Sequence, residues 1–326
     1  MSVRQTAAIK PLLRGDFPIP HQINYGLAAL HISLNLFQLF ILPLFLLPRN
    51  VWWGVCIIPI AALNNPFWAL IHEAIHDLLS HNPRVNLALG RALSIVFGSP
   101  FHVLRLTHLS HHKFNRSPLE KGTEIYNPRE VSRLAAGVKY YFYIVCGLYL
   151  LEVSSTLLFF LPANMFERMR KRVTEKGNAQ EKWLANKFSD TKRLREIRVD
   201  GIAICLVFAL SALCYQEHWR LLVGLLLART LLISVMDNVY HYGTLLNVTI
   251  SGHNLSLPRI FSALILHFNL HRVHHTHPQI PWNSLPEAFA WQSDKFDRSL
   301  WTAVLQQFFG PVPLPNTIAM AASKKL

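Results

Sequence analysis

Acidic residues are scarce in this 326-residue chain: 18 Asp and Glu stand against 32 Lys and Arg, a formal net charge of +14, and charged residues of both signs make up only 15%. Soluble domains ordinarily carry about 25%. At 51% hydrophobic residues and 14 glycines, the chain is too apolar for intrinsic disorder and too poor in glycine for a collagen-like repeat. Cysteine is equally sparse. Cys56, Cys146, Cys205 and Cys214 lie far apart in apolar stretches without a CxxC, which excludes a small disulfide-stapled fold and speaks against a thiol redox or zinc motif. The basic residues are not interleaved with aromatics as on a nucleic-acid module; basic loops beside membrane segments account for the charge more simply. Histidine is the exception to these shortages, with 17 copies.

Four apolar runs approach the ~20 residues that cross a bilayer: residues 23–47, 51–71, 140–161, and a 199–236 stretch interrupted by Gln216-Glu217-His218-Trp219-Arg220. Only Pro48-Arg49-Asn50 separates the first two, which predicts a tight helical hairpin. The interrupted stretch reads as a second hairpin, with spans at 199–216 and 220–238. The first run lacks a small-residue cleavage site and is long enough to stay in the membrane. Residues 163–198 carry eleven Lys or Arg against five Asp or Glu, and 72–139 is also basic. The positive-inside bias puts both on the cytoplasmic side, with Lys10 and Arg14 placing the N-terminus there too. That assignment makes 140–161 an interfacial or re-entrant helix; an ordinary fifth span is the alternative. The expected fold is thus an all-α membrane protein, a single domain over 1–326. It has two transmembrane hairpins and a cytoplasmic helical cap built from 72–139 and 239–326, with both termini on that side.

Three histidine clusters stand out: His72-Glu73-Ala74-Ile75-His76, His108-Leu109-Ser110-His111-His112 and His271-Arg272-Val273-His274-His275. On a helix, residues at i, i+3 and i+4 share a face, so each cluster presents two or three imidazoles together. Neutral imidazole is a ligand for zinc, iron, copper and nickel. One HxxxH is expected by chance with this many histidines, whereas two HxxHH boxes are not. Box one also spells HExxH, the zinc-peptidase helix, with Glu73 as general base. Eight clustered imidazoles are too many for one tetrahedral zinc and about right for two metal ions. Glu73 and Asp77 are then candidate acceptors that orient ring N–H groups. A histidine-rich metal transporter is a third reading, but it calls for ionisable ligands inside the spans.

HxxxH, HxxHH and HxxHH in this order around two hairpins resemble the integral-membrane fatty acid desaturase superfamily. The resemblance covers roughly residues 72–286. It includes Arg105-Leu106-Thr107 before box two, and Pro278-Gln279-Ile280-Pro281-Trp282 with Leu285-Pro286 after box three. It implies a non-haem centre of two iron ions that uses O2. Members include desaturases, hydroxylases, carotenoid ketolases and decarboxylases that make terminal alkenes. It also implies a ninth histidine near the end of the last span, which His241 fits; His267, four before His271, is the other candidate. Asp237 stands one turn before His241, where acyl-CoA desaturases have an asparagine bound through water. Ser110 occupies a slot that is glycine in alkane hydroxylases, which argues against that branch.

An alkyl C–H bond offers no acidity, so redox metal and O2 must carry the chemistry while the protein orients substrate and excludes water. Two hydrogen abstractions give desaturation, the expected outcome. Oxygen rebound gives hydroxylation, and loss of CO2 from a free fatty acid gives a terminal alkene; the boxes are the same in each. Arg105, Lys113 and Arg116 are candidates to hold the head group of a fatty acid or acyl ester entering from the lipid bilayer. Electrons are expected from a separate ferredoxin, flavodoxin or cytochrome with its reductase.

Overall fold

The computed structural model describes residues 17–314; Lys10 and Arg14, part of the argument for the side of the N-terminus, lie outside the described residues. The architecture is helical, with two short parallel strand pairs, Ile125–Tyr126 against Val312–Pro313 and Leu255–Ser256 against Arg298–Ser299.

Helix α1 (His21–Leu36) continues as a π-helix over Phe37–Leu46. Pro43 lies inside this continuation and has no N–H to offer the ladder. Burial along α1 is inverted relative to a helix in water. Asn24, Ala28, His31 and Asn35 form its buried stripe, while Ile23, Leu30 and Leu36, and in the π-helical continuation Ile41, Leu44 and Phe45, are exposed. Polar side chains that face the bundle and leucines that face outward suit a helix whose solvent is lipid.

The Asn50 side chain accepts from the Trp52 N–H and opens a 3₁₀ turn, Val51–Cys56, followed by α2 (Ile57–Ala62) and α3 (Asn64–Ile75). The two halves meet at 44°. Every residue of α3 is buried, and the helix expected to end at residue 71 runs on to Ile75, carrying His72 in its last turn. Helix α4 (Pro83–Phe97) starts on an Asn82 cap with Pro83 in its first turn, a position that tolerates the missing N–H. It stops at Gly98, whose φ of 108° only glycine adopts readily. Helix α5 (Phe101–Phe114) then leaves at 98°.

Helix α6 (Arg133–Phe142), a π turn at Tyr143–Gly147 and α7 (Leu148–Leu158) follow. The chain bends by 77° between them, so no straight helix covers 140–161; a broken span and a re-entrant pair both have this shape. Helices α8 (Ala163–Lys176) and α9 (Ala179–Lys187) hold much of the basic segment. Helix α10 (Thr191–Tyr215) begins eight residues before the span expected at 199, and α11 (Trp219–Val239) follows a 3₁₀ turn at Gln216–His218. Gln216 has a φ of 42°. The Phe208 ring lies beside Gly98, and Arg229 bonds the Phe97 carbonyl, so α10 and α11 both return to one corner and form a hairpin. Short helices α12 (Arg259–Leu264), α13 (His271–Thr276), α14 (Leu285–Trp291) and α15 (Leu300–Gln307) complete the chain.

Among the described residues, His21–Leu46 and Thr191–Val239 are continuous helical stretches long and apolar enough to cross a membrane, and the count reaches five if each of three bent pairs is one span. Their packing is pinned by one buried cation. Arg229 on α11 gives Nε to Asn64 Oδ1 (2.9 Å), Nη1 to the Val96 and Phe97 carbonyls (3.0 Å each) and Nη2 to Asn35 Oδ1 (2.5 Å). The carbonyl end of a helix carries the negative pole of its dipole, so the guanidinium caps α4 while joining α1, α3 and α11. Arg229, a charge set inside an apolar run of the sequence, is thus a buried tie at the corner from which α5 departs.

Candidate metal centre

Box one ends α3, with His76 at its C-cap; box two occupies the second half of α5, and box three starts α13. Among the described residues, the nine imidazoles meet as two groups: His72, His76, His108, His112 and His274, and His111, His241, His271 and His275, with all ligand atoms of a group within 4.8 Å of one another. The boxes do not map one to one onto the groups. In box two the i, i+4 pair His108 and His112 joins the first group and His111 the second. In box three the i, i+4 pair His271 and His275 joins the second and His274 the first. Helical spacing explains this: residues four apart stack on one face and the one between them points to its side.

In the first group, Nε2 of His108 is 3.1 Å from that of His76 and 2.9 Å from that of His112, which is 3.0 Å from that of His274. In the second, Nε2 of His241 is 3.1 Å from that of His111 and 2.9 Å from that of His271, which is 3.1 Å from that of His275. A ring nitrogen has one lone pair or one N–H, so chains of nitrogens cannot be linked by ordinary hydrogen bonds alone. Two nitrogens about 2.1 Å from one ion and at right angles lie about 3.0 Å apart. His72 adds two buried ring nitrogens without a hydrogen-bond partner. The donor set therefore fits metal ions. Burial, and the neighbouring imidazoles, hold His271, His274 and His275 well below the usual histidine range, which keeps their lone pairs free.

Carboxylates surround the imidazoles unevenly. Glu120 Oε1 accepts from His111 Nδ1 at 2.5 Å, and its Oε2 accepts from Gln180 Nε2 on α9 at 2.7 Å. This fixes the His111 tautomer, with Nε2 presented to the second group. The sequence reading missed Glu120; its one signal is that it is the first acidic residue after box two. Glu73 is buried and accepts from the Trp282 N–H at 3.2 Å. The peptidase reading needs that carboxylate beside a metal-bound water, and here it joins α3 to the loop after box three. Asp77 accepts from Asn86 Nδ2 at 3.2 Å and pairs with Arg105 at 2.6 Å. His267 stays outside both groups, with Nδ1 on Ser262 Oγ at 2.7 Å and its ring stacked on Trp282.

The three head-group candidates are engaged within the protein. Arg105 pairs with Asp77, and Lys113 lies over the Phe114 and Trp183 rings. Arg116 corrects the expectation most clearly. It is 1% exposed and bonds Glu124 and the Lys121 carbonyl, each at 2.6 Å, and Thr244 at 2.7 Å. A guanidinium in apolar surroundings demands such pairing, so it is an internal tie.

One cavity beside the imidazoles adjoins a second, apolar one. The first, of about 290 Å³, touches His108 of the first group and His111 of the second, and is lined also by Trp68, Tyr143, Glu152 and Asp237. The apolar cavity, of about 250 Å³ between α5, α7, α8 and α9, shares Thr107 and Leu184 with it. A space that reaches both groups and adjoins an apolar chamber can hold an alkyl chain.

No curated protein matches the chain. The family model described as "Fatty acid desaturase" matches residues 50–304, a span that contains all nine imidazoles and both cavities. With more than half its length matched, the chain belongs to the fatty acid desaturase family, membrane proteins that oxidise fatty acyl chains at a histidine-rich metal site.

Proposed function

We propose that the protein is an O2-dependent oxidase of unactivated C–H bonds in fatty acyl chains, working with two iron ions, and that desaturation is its reaction. The observation that carries this reading is the division of nine imidazoles into two adjoining groups that share α5 and α13. His72, His76, His108, His112 and His274 would hold one ion, and His111, His241, His271 and His275 the other. Bound there, iron would supply the reduction of O2 and the oxidising power that no side chain of the protein has.

The remaining work belongs to the polypeptide. Glu120 and Gln180 hold His111 in register. Trp68, Tyr143 and Leu184 wall the cavity against water, so that the alkyl chain reacts in a dry, oriented space. The apolar chamber under α8 and α9 receives the rest of the chain. Asp237 lines the cavity beside His111 and is proposed to orient the second group; Asp77 and Glu73 brace box one through their contacts with α4, α5 and Trp282. The site and both termini are placed on the cytoplasmic side, where the basic connections lie and where a ferredoxin, flavodoxin or cytochrome could deliver electrons.

Metal analysis of the purified chain tests the centre: about two irons per chain are expected, and a single zinc with retained activity would overturn the reading. Gas chromatography of lipids after feeding a saturated fatty acid tests the reaction. An internal alkene is expected; a hydroxy acid or a terminal alkene one carbon shorter would reassign the product.

A further inference from the structure

A groove of about 430 Å³, larger than either cavity at the metal centre, lies at the opposite end of the molecule. Asn24, near the start of α1, bonds the Leu78 and Leu79 carbonyls just past box one, so the turn at 48–50 closes the far end of that helical stretch. Helix α11 agrees. Arg220 is its second residue and His241 lies just beyond its last; a helix of this length spans roughly 30 Å, the thickness of the hydrocarbon core of a bilayer. Trp52, Val55 and Ile58 form one wall of the groove, and Leu221 and Leu225 the other. Trp52, Trp53 and Trp219 are exposed at this end, and tryptophan gathers where headgroups meet hydrocarbon. The groove therefore opens at headgroup level between apolar walls.

Two residues set it apart from ordinary lipid-facing surface. Gly224, in the interior of α11, lines the groove, and a Cβ there would meet nothing within 4 Å. Gly54 on the facing wall serves packing instead, since its Cβ would press on Leu221 at 3.0 Å. Glycine weakens a helix interior, and at 224 the room it leaves belongs to the groove alone. The other residue is Arg220, exposed at the mouth. Among the described residues its guanidinium makes no ion pair, and it rests over the Trp219 ring, 5.8 Å from the centroid. The neighbouring acid, Glu217, faces His218 at 3.7 Å. An unpaired guanidinium above apolar walls complements a molecule with an anionic head and a hydrocarbon chain, and its planar fork matches a phosphate.

We propose that this groove binds one membrane phospholipid, with the phosphodiester on Arg220 and an acyl chain laid across Gly224. The site is separate from the metal centre and independent of the oxidase reading. The bound chain bridges residues 51–58 and α11, and so stabilises this end of the bundle.

The test uses the full chain in detergent, stripped of lipid, with binding followed by native mass spectrometry and by the thermal midpoint. The probes are phosphatidylglycerol, diacylglycerol of the same chains, and inorganic phosphate. One phosphatidylglycerol per chain is expected, raising the midpoint and held about tenfold or more tightly than diacylglycerol, as a charge-assisted bond to phosphate requires. Arg220→Gln should lose that preference and Arg220→Lys should keep part of it. Gly224→Leu should exclude both lipids, with iron content unchanged in every variant and helix content by circular dichroism as the fold control. If Gly224→Leu fails that control, Arg220→Gln decides alone. Diacylglycerol or inorganic phosphate binding as tightly as phosphatidylglycerol overturns the proposal, as does a preference intact in Arg220→Gln. A wild-type dimer that Gly224→Leu dissolves would give the groove to a second copy of the chain and overturn it too.

Discussion

The two imidazole groups differ in how they are assembled. The first takes an i, i+4 pair from the end of α3, another from α5, and a single ring from α13. The second takes a pair from α13, a single ring from α5, and His241 from just beyond α11. A box is therefore a helical repeat, and a centre is a meeting of helices. Each group is a set of rings near in sequence completed by one distant ring: His274 lies 162 residues from His112 in the first, and His111 lies 130 residues from His241 in the second. The second depends in addition on Glu120 and Gln180 for the orientation of His111.

Removing one ring from each group should break both. His274→Ala and His271→Ala are each expected to abolish turnover and to bring iron from about two toward one per chain, measured by elemental analysis and product chromatography. Turnover surviving in either variant would show that its group is dispensable.

Arg229→Met should blur the distinction between the groups. It leaves Asn64 Oδ1 and the Val96 carbonyl without their side-chain donor, while Asn35 keeps Gln38 and the Phe97 carbonyl keeps Tyr149, and each stranded buried group costs about 1–3 kcal/mol. The corner that aims α5 into both groups loosens, so a lower thermal midpoint and loss of iron from both sites are expected. Iron loss confined to one site would contradict this account.

Glu120→Ala should sharpen the comparison, because it acts on the second group alone. Groups behind a metal-bound histidine typically contribute about 10–100-fold in metal affinity or activity. Iron titration should show one weakened site and one unchanged, with a smaller effect in the same direction for Gln180→Ala.

The smallest effect is shared by both groups. His274 of the first and His271 and His275 of the second are held below the ordinary value of 6.5. The unfolded chain then binds more protons than the folded one as pH falls through about 6.5 toward the depressed folded values. The thermal midpoint of the metal-free protein should accordingly decline below about pH 6.5. A midpoint that rises there would mean that these rings are charged in the fold.

Much of the site was legible because histidine spacing and helical geometry share a period. The eight box histidines could be named from spacing, His241 only through the family resemblance and beside His267, and apolar length marked α1 and the α10–α11 hairpin. Glu120 was not legible: an acid eight residues past a box has no periodic relation to it, and a turn brings it back. Arg116 misled for the opposite reason. A basic residue near a box looks available, and only the fold reveals Glu124 buried against it. The 140–161 run was ambiguous because hydropathy measures apolar length and is blind to a 77° bend.

Composition and spacing by themselves determined that this is a helical membrane chain with histidine boxes, since burial in lipid and ligation by imidazole both select residue types at fixed intervals. Tertiary structure decided which ring joins which group, that His241 and not His267 lies among the box histidines, and that the cavity beside them is lined by carboxylates. Those outcomes depend on the angles at which α3, α5, α11 and α13 meet, and crossing angles are set by packing between helices distant in sequence, to which no local pattern is sensitive.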